Sequence, residues 1–507
     1  MSFLMGIDLG TSSLKVLIMN EMGDVKAVSA KSYQFDTPHP GFAEQDTAVW
    51  WDACCACIKS ALMQLGSDPA EIKGVSFSGQ MHGLVMLDRD LSVIRPCILH
   101  CDSRSAVQIE EINGNLGNSF IREKVLNPIY TGFLLPSLLW VRENEPENFA
   151  KVRHVLLPKD YIRFMLCGEL GSDYSDASAT LAFDIEKGCW STEIIGRMNL
   201  DMSLFPPCRD TADVVGFITP SASRATGLDC KTKVVAGGGD QVMQCIGNGA
   251  SEIGMATVNI GTSGQVCFQS DKVIRNPNLS TNTFCGYKTG RWITMGATMS
   301  AGLSLKWFSN LFEKTDYQLA DREIAKIVPG SEGLIFLPYL NGERTPHINP
   351  NLRASFMGLG LRTDKYHMTR AVMEGVAYSL KQCMEECSHL GLSADTLVAS
   401  GGGAQSEIWL QIQADIYNKP LKVAAVDEQA SIGAAIAAGV GAGIYKNIDQ
   451  ACRQVVKYKD KEYLPQHENQ LIYSQYYDLY KETYQSSHLV LEKIALLGRK
   501  YSDSINT

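Results

Sequence analysis

A short pattern occurs twice in this chain, the copies lying about half its length apart. Near the start stands Gly6-Ile7-Asp8-Leu9-Gly10-Thr11-Ser12, followed by Leu14-Lys15-Val16-Leu17-Ile18. In the middle stands Val258-Asn259-Ile260-Gly261-Thr262-Ser263-Gly264, followed by Val266-Cys267-Phe268. Both copies read as strand, tight turn, strand, because the second apolar run is short and rich in β-branched residues. The same hairpin heading each half predicts a duplicated α/β fold with a cleft between two domains, residues 1–246 and 247–507. The length of 507 residues accommodates this at roughly 150 residues or more per domain.

The repeated turn suits phosphate. Glycine lets the backbone approach a ligand closely, and Thr and Ser add hydroxyl donors. One such turn is commonplace; two at equivalent places can clamp the phosphates of one nucleotide from opposite sides. The copies differ at Asp8, which is Asn259 in the second. A single carboxylate beside phosphates calls for a cation, and Mg²⁺ with retained waters suits it. The competing reading is two ordinary hairpin turns.

Three further segments read as strands ending in glycine loops. Lys73–Ser78 runs into Gly79-Gln80-Met81-His82-Gly83, Lys233–Ala236 into Gly237-Gly238-Gly239-Asp240-Gln241, and Thr396–Ala399 into Ser400-Gly401-Gly402-Gly403-Ala404. Loops at strand ends are where α/β proteins bind ligands. Asp240, with no bulky neighbour before it, can approach a hydroxyl as a general base; its other reading is a helix cap. Met81 and His82 are candidates for a sugar wall, or His82 is a structural hydrogen-bond partner. The run Gly401–Gly403 is contiguous and no later glycine completes G-x-G-x-x-G, so a dinucleotide fingerprint is excluded. It offers bare backbone to an adenine or ribose instead. Helical periodicity covers Asp46–Leu65, Asp364–Leu390, Glu407–Tyr417 and the tyrosine-rich Asn469–Leu497.

Charge and composition exclude other classes. With 46 Lys and Arg against 55 Asp and Glu, the net charge is −9, so there is no global basic field for nucleic acid or an anionic membrane. No run reaches the ~18 apolar residues of a spanning helix. The 15 cysteines are scattered through apolar patterns; with no signal-like start, they predict buried, reduced thiols in a cytoplasmic protein. Cys54, Cys55 and Cys57, and likewise Cys383 and Cys387, read as buried residues on apolar helix faces rather than as metal ligands.

These motifs resemble the FGGY family of carbohydrate kinases over nearly the whole chain. The likeness takes in Gly6–Ser12, Pro38-His39-Pro40, Ser78–Gly83, Leu156–Tyr161, Ala236–Asp240, Phe336–Leu340, Gly342–His347, His367–Glu374 and Gly401–Ala404. The resemblance implies two actin-like, ribonuclease-H-type domains closing over ATP, Mg²⁺ and a sugar, with the first half on the sugar side and the second on the nucleotide side. It implies Asp240 as base, with Met81, His82, Asp102, Gln241 and Asp240 itself facing the sugar. Asp8 and Asp240 fall near the metal. Gly10, Thr11, Ser12, Lys15, Gly261, Thr262, Gly402, Gly403, Ala404 and Glu407 fall near ATP. Gln80-Met81-His82-Gly83 resembles the branch that phosphorylates the 5-hydroxyl of D-xylulose. A homodimer is compatible with the family.

The chain departs from the family pattern in places. His100-Cys101-Asp102-Ser103-Arg104 stands where Trp-Asn-Asp-x-Arg is usual, Ser137 where Lys is common, and Gln241 where Asn is frequent. These positions bear on which sugar is taken, so another ketopentose, a polyol or an aldonate is the alternative substrate. A nucleotide-switch ATPase of the same fold is the alternative of another class. Glu343 and Arg344 read as a buried ion pair at the domain junction.

Overall fold

The structure, a computed structural model, describes residues 2–312 and 317–503. In the first half, strands β1 (Phe3–Leu9), β2 (Ser13–Asn20), β3 (Val25–Ser32), β4 (Ile72–Gly79), β5 (Val214–Phe217) and β6 (Lys233–Val235) form a sheet in the order β5-β6-β4-β1-β2-β3; β7 (Gly238–Gly239) pairs with the end of β4. In the second half, β8 (Gly254–Ile260), β9 (Gly264–Ser270), β10 (Asn282–Cys285), β11 (Trp292–Thr298), β12 (Ala394–Ser400) and β13 (Leu421–Val423) form a sheet in the order β10-β11-β9-β8-β12-β13. Both sheets share one core pattern. An antiparallel three-strand meander (β1, β2, β3; β8, β9, β11) is extended from its first strand by two parallel strands (β4, β6; β12, β13). The expected duplication is therefore present in five strands of each sheet, while β5 and β10 are additions at opposite edges.

The duplication extends to register. Asp8 on β1 lies opposite Lys15 on β2 and Ser78 on β4. Asn259 on β8 lies opposite Gln265 on β9 and Ser400 on β12. One half thus holds a charged triplet and the other a neutral one at the same place.

The helices that matter for the site are α1 (Thr47–Leu65), α2 (Pro158–Cys167), α3 (Tyr174–Ser178), α4 (Asp240–Gly247), α5 (Gly302–Ser309), α6 (Lys365–His389), α7 (Glu407–Tyr417), α8 (Gln429–Ala442) and α9 (His467–Asp503). Asp46 caps α1 through Ala48 N, and Asp364 caps α6 in a capping box with His367. Side chains alternate along a strand. Phe3, Met5, Ile7 and Leu9 therefore enter the core that also holds Trp50, Cys54, Cys57 and Ile58 of α1. Leu4, Gly6 and Asp8 face the other way, where α8 packs. Cys383 and Cys387 of α6 are buried, as are Tyr473, Tyr477 and Tyr480 of α9, but Cys55 is half-buried and Cys101, Cys189 and Cys230 are exposed, so the expectation of buried thiols holds only in part.

Helix α8 follows the second sheet in sequence yet packs on β1, β4 and α4 of the first. Its small residues permit this approach. A Cβ on Gly6 would lie 1.9 Å from Ser431 O, and one on Gly433 2.1 Å from Met243 O. Among the described residues no helix is long and apolar enough to cross a membrane.

Candidate active site

Asp240 is the first residue of α4 and Gly239 is its cap; the Asp240 carboxylate accepts from the backbone N–H and the side chain of Gln241. It stands where β7 runs alongside the end of β4. Gly237 has φ +79°, and a Cβ there would lie 2.4 Å from Phe77 O, so only glycine lets the loop cross β4. A Cβ on Gly239 would meet Met81 at 2.9 Å, which places Met81 directly against the backbone that presents Asp240.

A buried charge network holds this loop. Gly239 N donates to Ser175 Oγ at 3.0 Å, and Ser175, on α3, is itself held by Asp173. Lys159 Nζ on α2 lies 2.6 Å from Asp160, 2.8 Å from Asp173 and 3.3 Å from Asp176. Arg163 pairs with Asp160 at 3.3 Å and reaches Ala236 O at 3.4 Å. Three acids outnumber two cations, and burial with the neighbouring carboxylates raises Asp176 well above the ordinary range despite Lys159. A proton on Asp176 makes the cluster neutral, which its burial requires. The sequence signal for this network is Lys159-Asp160 within the motif Leu156–Tyr161, to which no role attaches from the sequence.

Asp8 sits across the end of β4 from Asp240. Ser78 and Gly79 pair with Asp8 and Leu9 on one side and with Gly238 and Gly239 on the other. Burial raises the Asp8 carboxyl, opposed by Ser78 and by the Lys15 ammonium. Burial, and next the Asp8 charge, push Asp240 up to about 7 against hydrogen bonds from Gln241. The Gln241 side chain also meets Cys267 Sγ of the second half at 3.8 Å.

Each turn is fixed from beneath. Gly10 N bonds Ser13 O at 2.9 Å, Tyr33 OH donates to Gly10 O at 2.7 Å, and Thr11 Oγ1 donates to Gln80 Oε1 at 3.1 Å; Ser12 is exposed. Gly261 N bonds Ser263 O at 3.0 Å, while Gly302 and Leu303 of α5 donate to the carbonyls of Gly261 and Thr262. The glycine run lies on the same strand end: a Cβ on Gly401 would strike Asn259 Oδ1 and one on Gly403 would strike Ile260. Gly402 meets nothing closer than 3.8 Å and is exposed; Ala404 is buried. Glu407, the first residue of α7, is exposed and pairs with Lys461 at 2.5 Å.

His82 has φ 75° and bonds Ala179 O through Nδ1 at 2.8 Å. A carbonyl only accepts, so Nδ1 carries the proton and Nε2 is left as an acceptor. Its ring packs on Phe133 at 3.9 Å between centroids. Burial lowers its pKa to about 3, with His100 and Arg344 adding to the effect, so it is neutral in the working range. Asp102 is 1 % exposed, with both oxygens engaged by Ala43 N, Arg104 N and the Arg104 guanidinium. It anchors the loop from which His100 and Cys101 are exposed; Ser137 is buried in the helix Leu134–Asn144. Phe133 and Tyr130 carry no sequence pattern that marks them as wall residues.

The expected Glu343–Arg344 ion pair is not what forms. The buried Glu343 carboxylate accepts from Thr298 Oγ1 at 2.5 Å, Met299 N at 2.9 Å, Ser379 Oγ at 3.3 Å and the backbone N of Arg344 at 2.7 Å. The Arg344 guanidinium points away, its Cζ 5.8 Å from the centre of the Tyr130 ring.

A sheet pattern repeated in both halves, with buried carboxyls at its strand ends, is the architecture of the actin-like, ribonuclease-H-type class. The comparisons give the family: the N-terminal domain of the FGGY family of carbohydrate kinases matches residues 3–247 and its C-terminal domain residues 256–442. The chain belongs to the FGGY family of carbohydrate kinases and is an ATP-dependent sugar kinase. It is similar to a xylulose kinase of Lactococcus lactis subsp. lactis, 35% identical over 500 residues, covering 97% of this chain and 99% of that one. The structure of a xyloylose kinase from Brucella ovis matches with TM-score 0.90 and 32% identity, covering 96% of this chain and 100% of that one. A ligand-bound xylulose kinase from Lactobacillus acidophilus matches with TM-score 0.91 and 25% identity, covering 97% and 100%.

Proposed function

We propose that this kinase transfers the γ-phosphoryl of ATP to the terminal 5-hydroxyl of D-xylulose, with Asp240 taking the hydroxyl proton. The observation that carries the reading is the Asp240 carboxyl, held at about 7 by burial and Asp8, with Met81 against the Gly239 backbone, His82 next in sequence, and a Gly-Thr-Ser turn after the first strand of each sheet. A base of that pKa is half ionised near neutral pH, where general-base catalysis works best. His82 Nε2 accepts from a sugar hydroxyl, Met81 supplies an apolar wall, and Gln241 keeps the Asp240 carboxylate turned toward the acceptor. On this reading residues 1–246 bind sugar and residues 247–507 bind nucleotide. Gly261, Thr262, Gly402, Gly403 and Ala404 pack beside the adenosine and phosphates, and Glu407 and Lys15 flank them. Gly10, Thr11 and Ser12 close on the phosphates from the other side. The names of the relatives support D-xylulose as the acceptor.

Asp8 and Asp240 provide a hard oxygen donor set, and among the described residues no cluster of three or more metal-ligating side chains exists. That pattern fits Mg²⁺, which is held by one or two carboxylates and completed by phosphate oxygens and water. The buried Gln80 amide nitrogen has no partner among the described residues, so the floor near Asp8 keeps a donor for a polar ligand. Bound there, Mg²⁺ would neutralise phosphate charge as the phosphoryl group transfers. ADP release measured against D-xylulose, other ketopentoses, polyols and aldonates at saturating MgATP tests the proposal. D-xylulose should give the highest kcat/KM. A higher value with another sugar overturns the substrate, and sugar-independent turnover overturns the kinase reading.

A further inference from the structure

We infer that Arg344 is a specificity-determining residue of the sugar pocket, contributed across the cleft, whose guanidinium donates to the carbonyl oxygen of a ketose. This rests on the sugar-kinase reading above and adds to it the group that separates a ketose from a polyol. Arg344 lies in the second half, within the range of the C-terminal family domain, yet its guanidinium stands over Tyr130 of the first half at 5.8 Å. Tyr130 neighbours Phe133 at 6.3 Å, and Phe133 packs on His82 at 3.9 Å. The positive charge is thereby brought to the wall that carries His82, where it adds to burial in lowering both His82 and His100.

The backbone beneath Arg344 is fixed. Its N donates to buried Glu343, its O accepts from Ile348 N at 2.6 Å, and Glu343 N and Asn349 N exchange bonds with each other's carbonyls at 2.8 Å. The side chain above this anchor is exposed and has no carboxylate partner among the described residues. The chemistry then follows from donor and acceptor counts. A guanidinium only donates, whereas His82 Nε2 only accepts. Together they read one oxygen without a proton beside one with a proton, which is the carbonyl and adjacent hydroxyl of a ketose. A polyol hydroxyl can also accept from the guanidinium, but its own proton then needs a further acceptor, so the polyol uses the pair less well.

The test compares wild type with Arg344→Met and Arg344→Lys, using D-xylulose and its polyol counterpart, with ADP release as readout. Arg344→Met should raise KM for the ketose on the order of 10- to 100-fold, the size of a lost hydrogen bond to a charged donor. KM for ATP and for the polyol should stay within about twofold, so the ketose preference collapses; Arg344→Lys should recover part of it. An unchanged ketose-to-polyol ratio in Arg344→Met overturns the inference, as does an equal loss for both acceptors. Selective loss of aldonate phosphorylation with the ketose spared overturns it too, since the guanidinium would then read a carboxylate. Wild-type protein inactive on every sugar refutes the kinase reading instead, and thermal unfolding of each variant reports that it folds.

Discussion

At the scale of single residues the decisive group is Asp240. Its pKa stands above the ordinary carboxylate value because burial and then Asp8 disfavour its ionised form. The folded state therefore holds more protons than the unfolded state between about 4 and 7, and this group's effect on apo-protein stability worsens as pH rises through that window. Asp240→Asn should abolish turnover by 10²-fold or more while leaving ATP affinity near wild type. The same variant should be more stable than wild type at pH 8 by roughly 1–3 kcal/mol, and equal to it at pH 4. Steady-state kinetics and urea unfolding at the two pH values check both parts; near-wild-type turnover removes Asp240 from the base role. Asp8→Asn removes the second cause of the shift. In Mg²⁺-free protein it should move the titration of Asp240, followed through the pH dependence of stability, toward lower pH. An unmoved titration means that the two acids do not sense each other.

At the scale of elements the sequence pattern reads the strands and caps well. The two hairpins, the helix starts after Asp46 and Asp364, and helix α7 at Glu407–Tyr417 all follow local chemistry. What it does not show is where α8 goes. Its run of Ala and Gly announces close packing without naming the partner, and the partner is a sheet hundreds of residues earlier. Gly6 records that contact, since a Cβ there would lie 1.9 Å from Ser431 O. Gly6→Ala should destabilise by about 2–4 kcal/mol, because backbone rather than a flexible side chain must give way. Gly114→Ala, inside the helix Ala106–Leu116 where an added Cβ meets nothing within 4 Å, should stabilise by up to about 1 kcal/mol. Denaturant midpoints distinguish the two, and a Gly6→Ala protein as stable as wild type contradicts the packing. The candidate site divides along the same line. Asp8, Asp240, Met81 and His82 are legible because glycine loops mark them. The Lys159 network, the Glu343 anchor, Phe133 and Arg344 are not, because each acts through contacts between distant segments that leave no local period. Asp102 shows the converse: a motif residue near the site whose oxygens are consumed by Ala43 and Arg104.

At the scale of the molecule, the two sheets must approach for the chemistry proposed here, since the groups assigned to the sugar lie mainly in one half and those assigned to ATP in the other. The halves are already tied along one line. Asn127, fully buried, donates to Thr283 O at 2.8 Å and accepts from Thr283 N at 2.9 Å, so its side chain replaces a strand partner at the edge of β10. Beside it Ser178 Oγ accepts from Cys285 N at 2.9 Å, and Trp292 Nε1 donates to Ile185 O at 3.0 Å. Helix α8 makes the other connection. A rotation of the halves that keeps these contacts would change the separation of the two strand ends that carry the candidate site. A kinase gains from bringing them together, because water at the γ-phosphate competes with the sugar. Small-angle scattering should therefore show a smaller radius of gyration with sugar and a non-hydrolysable ATP analogue together than with neither, and Asn127→Ala should weaken that contraction by loosening the line about which the halves turn. Curves that superimpose with and without saturating ligands would show that the cleft is rigid and that water is kept out by side chains alone.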